Sequence, residues 1–323
     1  MSALISRYST SIVVVVSIIL GFAFPQPGMI WNSYLTELLM VLMFLVTLSI
    51  EPSEIGQTVK GYPILLIGLF TTFVLVPLLA FSIKPFFSTI ILAGAVLALC
   101  CPSAVVSSFW TKVFSGDVAT ALVMSVVTNL LSIVTIPATM LIAVGVSLNI
   151  SALGMMERLA EIILIPMIAS FLLRRFIHID WNRTNSYGSK IELAILVLII
   201  WGSIAPGVAT VKNNAAQFAL LNVFMILILA TAFALTHLST IRFGHKKAIA
   251  IEVSTIVKNA ALSLVIAQTA FKPEVYPLAL PPLIANLIAQ NLLLIPAKAV
   301  TERIATNAEK AHERSHKTET TET

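Results

Sequence analysis

Lys258 and Asn259 lie near the middle of a 24-residue, almost wholly apolar stretch, Ala248 to Phe271. Ser254, Thr255, Ala260 and Ala261 flank them, and Glu252 stands nearer the Lys-rich end. A lysine at bilayer mid-depth costs about 3 kcal/mol or more, so such a residue faces a protein interior or a water-filled cavity and usually has a task there. The bland alternative is a lysine that snorkels to the surface. Here the nearest flank is about ten residues away, roughly 15 Å along a helix. A buried ammonium can hold an anion, replace a metal cation or carry a proton.

A second stretch joins it, Leu97-Ala-Leu-Cys-Cys-Pro-Ser-Ala-Val-Val-Ser-Ser-Phe-Trp-Thr111. Pro102 removes a backbone donor and clashes with the preceding turn, so a helix must kink or break there. A break presents a new helix N-terminus with unpaired N–H groups and a positive dipole end, which suits an anion. Ser103, Ser107 and Ser108 follow on the downstream half. The alternative is a kinked helix whose serines bond their own carbonyls. The stretch around Lys258 contains neither Gly nor Pro, so its interruption is inferred from Ser254-Thr255 and Lys258-Asn259 alone.

The surrounding chain identifies the solvent. Of 323 residues, 58% are hydrophobic and 11% charged, too little polar surface for a soluble protein of this length. The net charge of +5 does not indicate nucleic acid, because Lys and Arg form no aromatic-interleaved patch. Cys100 and Cys101 are adjacent inside an apolar run and read as small buried residues; no metal or organic cofactor is expected. Arg7 and the apolar run after it resemble a signal peptide, but no small-x-small site follows, and the run reads as a retained first span.

Apolar runs of about 18 to 28 residues give ten candidate transmembrane helices, near 10–25, 33–50, 62–83, 88–114, 117–146, 156–178, 189–209, 215–238, 247–271 and 278–300. The predicted fold is an all-α polytopic membrane protein in the lipid bilayer. Residues 302–323 form a polar tail, read as a solvated or loosely helical end. Lys and Arg in the loops number 15 on the side of the N-terminus and 4 on the other, which puts both termini in the cytoplasm. Ten spans divide into five-helix halves, 1–150 and 151–301, of opposite orientation. That is the inverted-repeat plan of many transporters, with the site where discontinuous helices cross at mid-depth. The fourth and ninth spans hold matching positions in the two halves.

Further polar groups at depth are Thr72, Ser125, Thr128, Asn129, Asn222, Asn286, Gln290 and Asn291. Ser and Thr often bond the local backbone. Asn129 and Asn286 are stronger site candidates, because amides are more costly to bury, and Asn286 follows Pro281-Pro282.

Three stretches together resemble the bile acid:sodium symporter family over about residues 10–300. Met43-Phe-Leu-Val-Thr-Leu-Ser-Ile-Glu-Pro-Ser53 is similar to the end of its second helix. Cys100-Cys101-Pro102 with Ser107 resembles its crossing motif Cys-Cys-Pro-Gly-Gly-x-x-Ser-Asn. Lys258-Asn259-Ala260-Ala261-Leu262 resembles the Gln-Asn-Ser-Gly-Leu of the other crossing helix. The resemblance implies a panel of spans 1, 2, 6 and 7, a core of spans 3–5 and 8–10, and sodium-driven uptake of a small organic anion. It places substrate against Ser103, Ser107, Ser108, Asn259 and Asn286.

The match departs at the family's two sodium sites. The Asn of the Ser-Asn pair is Ser108, a serine becomes Ala121, and a threonine becomes Ser125. A glutamine becomes Thr72, and the crossing-helix glutamine becomes Lys258. The sodium-binding glutamate falls on Ser254 in a gapless match, whereas the Glu-Val pair stands two residues early, at Glu252-Val253. The ion-site or ion-replacing set is therefore Lys258, Ser254, Thr72, Ser125, Thr128, Asn129 and Glu252. The expectation is an inner-membrane secondary transporter in which the Lys258 ammonium replaces sodium. If permanently charged, it makes a sodium-independent carrier; if it releases its proton in the cycle, a proton-coupled one.

The other readings are sodium coupling through residual sites, an arsenite-efflux carrier using Cys101, a channel and an intramembrane enzyme. No ring of charge supports a channel. An enzyme needs paired carboxylates or a Ser with a His at shared depth, and His237 lies at a span end.

Overall fold

The computed structural model describes residues 9–48, 62–144, 151–176 and 181–321. The end of the Met43–Ser53 stretch, Arg7, Lys60 and the expected boundary at residue 150 lie outside them. The described chain is helical. Its helices are α1 (Ser9–Ala23), α2 (Pro25–Asn32), α3 (Leu35–Leu48), α4 (Tyr62–Phe70), α5 (Val76–Ala80), α6 (Thr89–Cys100), α7 (Val106–Val113) and α8 (Val118–Val144). They continue with α9 (Ala152–Phe176), α10 (Trp181–Ile204), α11 (Val208–Asn213), α12 (Ala215–Thr240), α13 (His245–Ile256), α14 (Ala260–Ala270) and α15 (Tyr276–Thr321).

Five helical stretches among the described residues are long and apolar enough to cross a membrane: 63–83, 118–144, 190–213, 215–243 and 276–301. A sixth is possible if α1 and α2, bent by 108° at Phe24, count as one span. Pro25 and Pro27 stand in the first turn of α2, just after this bend, where the missing N–H has no partner to lose. Lipid explains the outer surface. Ile142, Leu238 and Ile295 are all more than two-thirds exposed, which water would penalise and acyl chains do not. The polar tail continues α15 to Thr321, a longer helix than the sequence suggested.

Breaks follow local chemistry. Between α4 and α5 the turn Thr71–Leu75 is π-helical, and the Val76 N–H bonds the Thr71 carbonyl. Pro77 follows, a position with no N–H to extend the ordinary ladder. Ser88 caps α6 by accepting from the Ile91 N–H at 3.4 Å. Gly244, at φ +95°, makes the left-handed step into α13 that a side chain would resist.

Packing sorts the helices into two groups. In the first, α10 lies against α1, α2 and α3, and α9 against α3. In the second, α15 packs on α6, α12 and α14, while α8 packs on α6, α7 and α13. The groups join where α8 meets α9 and where α10 meets α14. The approach of α6 to α15 is close enough that a Cβ on Gly94 would overlap the Ala279 carbonyl oxygen.

Candidate functional site: two broken helices and a cavity

Two interruptions meet inside the second group. α6 ends at Cys100, and Cys101 is extended at φ −62°, ψ 149°, the conformation a following proline imposes. α13 ends at Ile256, and α14 starts after Asn259. The two interruptions pair as a short antiparallel bridge between Ser103 and Lys258. The Ala104 N–H donates to the Val257 carbonyl at 3.0 Å, and the Asn259 N–H donates to the Pro102 carbonyl at 2.8 Å. Each break thus satisfies backbone groups of the other, which non-helical chain at membrane depth requires.

α8 supplies the rest. Thr128 Oγ1 accepts from the Ser103 N–H at 3.2 Å. Ser125 Oγ and Asn129 Nδ2 both donate to the Ser103 carbonyl at 3.2 Å. Asn129 Oδ1 accepts from Asn259 Nδ2 at 3.4 Å, linking the two breaks through side chains. Gln290 Oε1, from α15, accepts from the Lys258 N–H at 2.9 Å. Asn259 Oδ1 accepts from the Leu262 N–H at 3.1 Å, an N-cap that explains how a break forms without Gly or Pro.

Lys258 is the largest fully buried side chain, 1% exposed, and its Nζ has no hydrogen-bond partner among the described residues. Thr72 Oγ1 and Ser254 Oγ are likewise buried and unpartnered among the described residues. Glu252 turns elsewhere: its Oε1 is 2.8 Å from His237 Nδ1 on α12. Among the described residues no three His, Cys, Asp or Glu side chains gather into a metal site.

A cavity of about 480 Å³ lies between the two helix groups, directly against the crossing. Lys258, Asn259 and Ser108 line it from one side; Met43 of α3 and Glu192 and Leu196 of α10 line it from the other. The structure therefore brings three of the expected residues to the cavity. Ser103 and Ser107 are fully buried beside it, 3.1 Å apart through their hydroxyls, and do not line it. Asn286 is also fully buried and off the cavity, with neither amide atom partnered among the described residues. Neither cysteine lines it. The side-chain ligands expected from α8, namely Ser125, Thr128 and Asn129, are engaged by the Ser103 backbone. Glu192 and Gln290 carry roles that the sequence reading did not assign. Glu192 had a signal, an acid near the start of an apolar span.

On the other side of the crossing the groups are hydrogen-bonded together. Gln268 of α14 donates to Asn32 Oδ1 at 3.0 Å and to the Asn32 carbonyl at 2.6 Å. Asn32 Nδ2 donates to Tyr276 Oη at 3.3 Å and to the Gly202 carbonyl at 3.1 Å.

A multi-pass membrane protein with crossed, interrupted helices beside a central cavity has the build of a solute carrier. The chain belongs to the sodium bile acid symporter family, whose profile matches residues 36–217, more than half of its length. It is thus a member of a transporter family rather than an enzyme. It is 26% identical over 271 residues to the "Uncharacterized sodium-dependent transporter YocS" of Bacillus subtilis, covering 80% of this chain and 81% of that protein. It is 29% identical over 197 residues to the "Probable sodium/metabolite cotransporter BASS4, chloroplastic" of Arabidopsis thaliana, covering 56% of this chain and 44% of that one. A rice relative, the "Probable sodium/metabolite cotransporter BASS2, chloroplastic", is 24% identical over 209 residues, covering 64% and 49%.

Proposed function

We propose that this protein is a secondary active transporter of a small organic anion in which the Lys258 ammonium takes the place of bound sodium. In this reading the chain crosses a cell inner membrane ten times with both termini in the cytoplasm. Residues 1–150 and 151–301 form inverted five-helix repeats, and 302–323 a cytoplasmic tail. The panel is α1, α2, α3, α9 and α10; the remaining helices are the core.

The observation that carries this is the position of Lys258: buried, paired through its backbone with the opposite break, and bordering the cavity. A sodium ion bound at depth needs oxygen ligands and compensating negative charge. Among the described residues the buried carboxylate near the crossing, Glu252, instead faces His237, and a fixed cation already stands there. The donor set at the crossing does not fit sodium well. Substrate would occupy the cavity against Ser108, Asn259 and the N-terminal turn of α14, with Ser103, Ser107 and Asn286 shaping the crossing behind it. Thr72 and Ser254 would sit beside the ammonium. Movement of core against panel would break the Asn32–Gln268–Tyr276 contacts and expose the site to the opposite side.

Uptake of organic anions into proteoliposomes, with sodium replaced by potassium, tests the reading. Equal uptake in both cations is expected; strict sodium dependence would leave the transporter and remove the substitution. That second reading, sodium coupling through residual oxygen ligands, draws its support from relatives whose names include sodium.

A further inference from the structure

Glu192 is the observation left over. It stands on α10, a helix of the panel, and its side chain borders the cavity whose far wall carries Lys258 and Asn259. Among the described residues it makes no ion pair, and neither does Lys258. One cavity thus has an acid and a base on facing walls that form no ion pair with each other, and its lining includes the apolar Leu42, Leu196 and Phe109.

A carboxylate in that place opposes the binding of a plain anion, because like charges repel at close range. Its presence makes sense if the ligand brings a positive group to it. The α10 residues on the wall run from Glu192 to Ile200, roughly 12 Å along a helix, so a ligand of modest length reaches from one end to the other.

We propose that the transported anion is a zwitterion: an apolar molecule whose carboxylate lies at the helix crossing and whose ammonium is bound by Glu192. This rests on the anion-transport reading and names its substrate class. It also gives the panel a part in recognition, since a ligand held at both ends joins core to panel, and a molecule with two negative charges is refused.

The test is calorimetric titration of the full-length protein in nanodiscs with matched pairs that differ by one terminal amine at the end away from the carboxylate: 6-aminohexanoate against hexanoate, and 8-aminooctanoate against octanoate. Wild type should bind the amine-bearing member about tenfold more tightly, as expected of a hydrogen bond to a charged group. Glu192→Gln should lose that preference, with the carboxylate-only member binding more tightly than to wild type because a like charge is gone. Glu192→Asp, which keeps the charge and guards against a folding artefact, should keep the preference. Wild type that binds the plain carboxylates with no gain from the amine overturns the zwitterion, as does a tenfold preference that survives in Glu192→Gln. If wild type binds neither member of any pair, the anion reading itself falls, and this inference with it.

Discussion

Ser103 and Lys258 face each other across an antiparallel backbone bridge, each at the gap between two half-helices. That one pairing sets the depth of the ammonium, aims two helix N-termini toward a common region and leaves the bridging backbone satisfied. The account of transport follows from it.

The backbone at the bridge depends on α8. Asn129→Ala removes the donor to the Ser103 carbonyl and the contact with Asn259. Leaving a buried carbonyl short of partners costs about 1–3 kcal/mol. The variant should melt at lower temperature in detergent, with transport lost in proportion at the growth temperature. An unchanged melting temperature would show that the crossing does not lean on this side chain.

Gly94 permits the close approach of α6 to α15. A methyl group there meets the Ala279 carbonyl and Pro282. Gly94→Ala should destabilise by about 1–3 kcal/mol, the usual effect of overpacking. Gly188→Ala, with open space around it, should be neutral. Thermal melts of the two purified variants make the comparison.

Glu252 has one partner for one oxygen, His237, and none for the other among the described residues. His237→Ala strands the carboxyl group in the core. The expected loss is about 3–5 kcal/mol if the pair is ionised. A second change, Glu252→Leu, should recover most of it, since an apolar pair tolerates burial. A double variant as unstable as the single one would refute the pairing as the cause.

The contacts of Asn32 with Gln268 and Tyr276 tie core to panel on the side away from the cavity. Gln268→Ala removes two hydrogen bonds, each worth about 0.5–1.5 kcal/mol. It should shift the population toward the state open on that side by several-fold, read as faster thiol labelling of a cysteine introduced at the half-buried Ala270 of α14. No change in labelling rate would mean that other contacts hold the closure.

Much of this was legible in the chain. Pro102 lacks an N–H whatever surrounds it, so the first break could be read from covalent structure alone. The second was harder, because no helix-breaking residue marks it. Its cause is the Asn259 side chain, which caps α14, together with hydrogen bonds donated to the Pro102 carbonyl and to Gln290 Oε1 that exist only once distant segments meet. Lys258 stood out by its burial cost. Glu192 did not, because an acid near a span end reads the same whether it faces headgroups or a cavity; only the packing of α10 against the core decides. Ser125 and Thr128 stand out in the sequence as polar groups inside an apolar run, expected at the ion site. Whether they hold an ion or a carbonyl depends on where Ser103 comes to lie.

The role of the ammonium can be checked in transport. Lys258→Gln restores the residue type of the family's motif without restoring a carboxylate. Sodium-independent uptake should fall by at least tenfold, and any residual uptake should become sodium-responsive. Unchanged uptake in potassium would remove Lys258 from the mechanism.

The most direct measurement needs no substrate. The melting temperature of the purified wild-type protein is compared in sodium and in potassium at equal ionic strength, over a wide concentration range. A sodium site filled at 100 times its dissociation constant would add about 2.7 kcal/mol of stability. With the Lys258 ammonium standing where that ion would sit, the two series should coincide; stabilisation specific to sodium in the wild type would contradict the account.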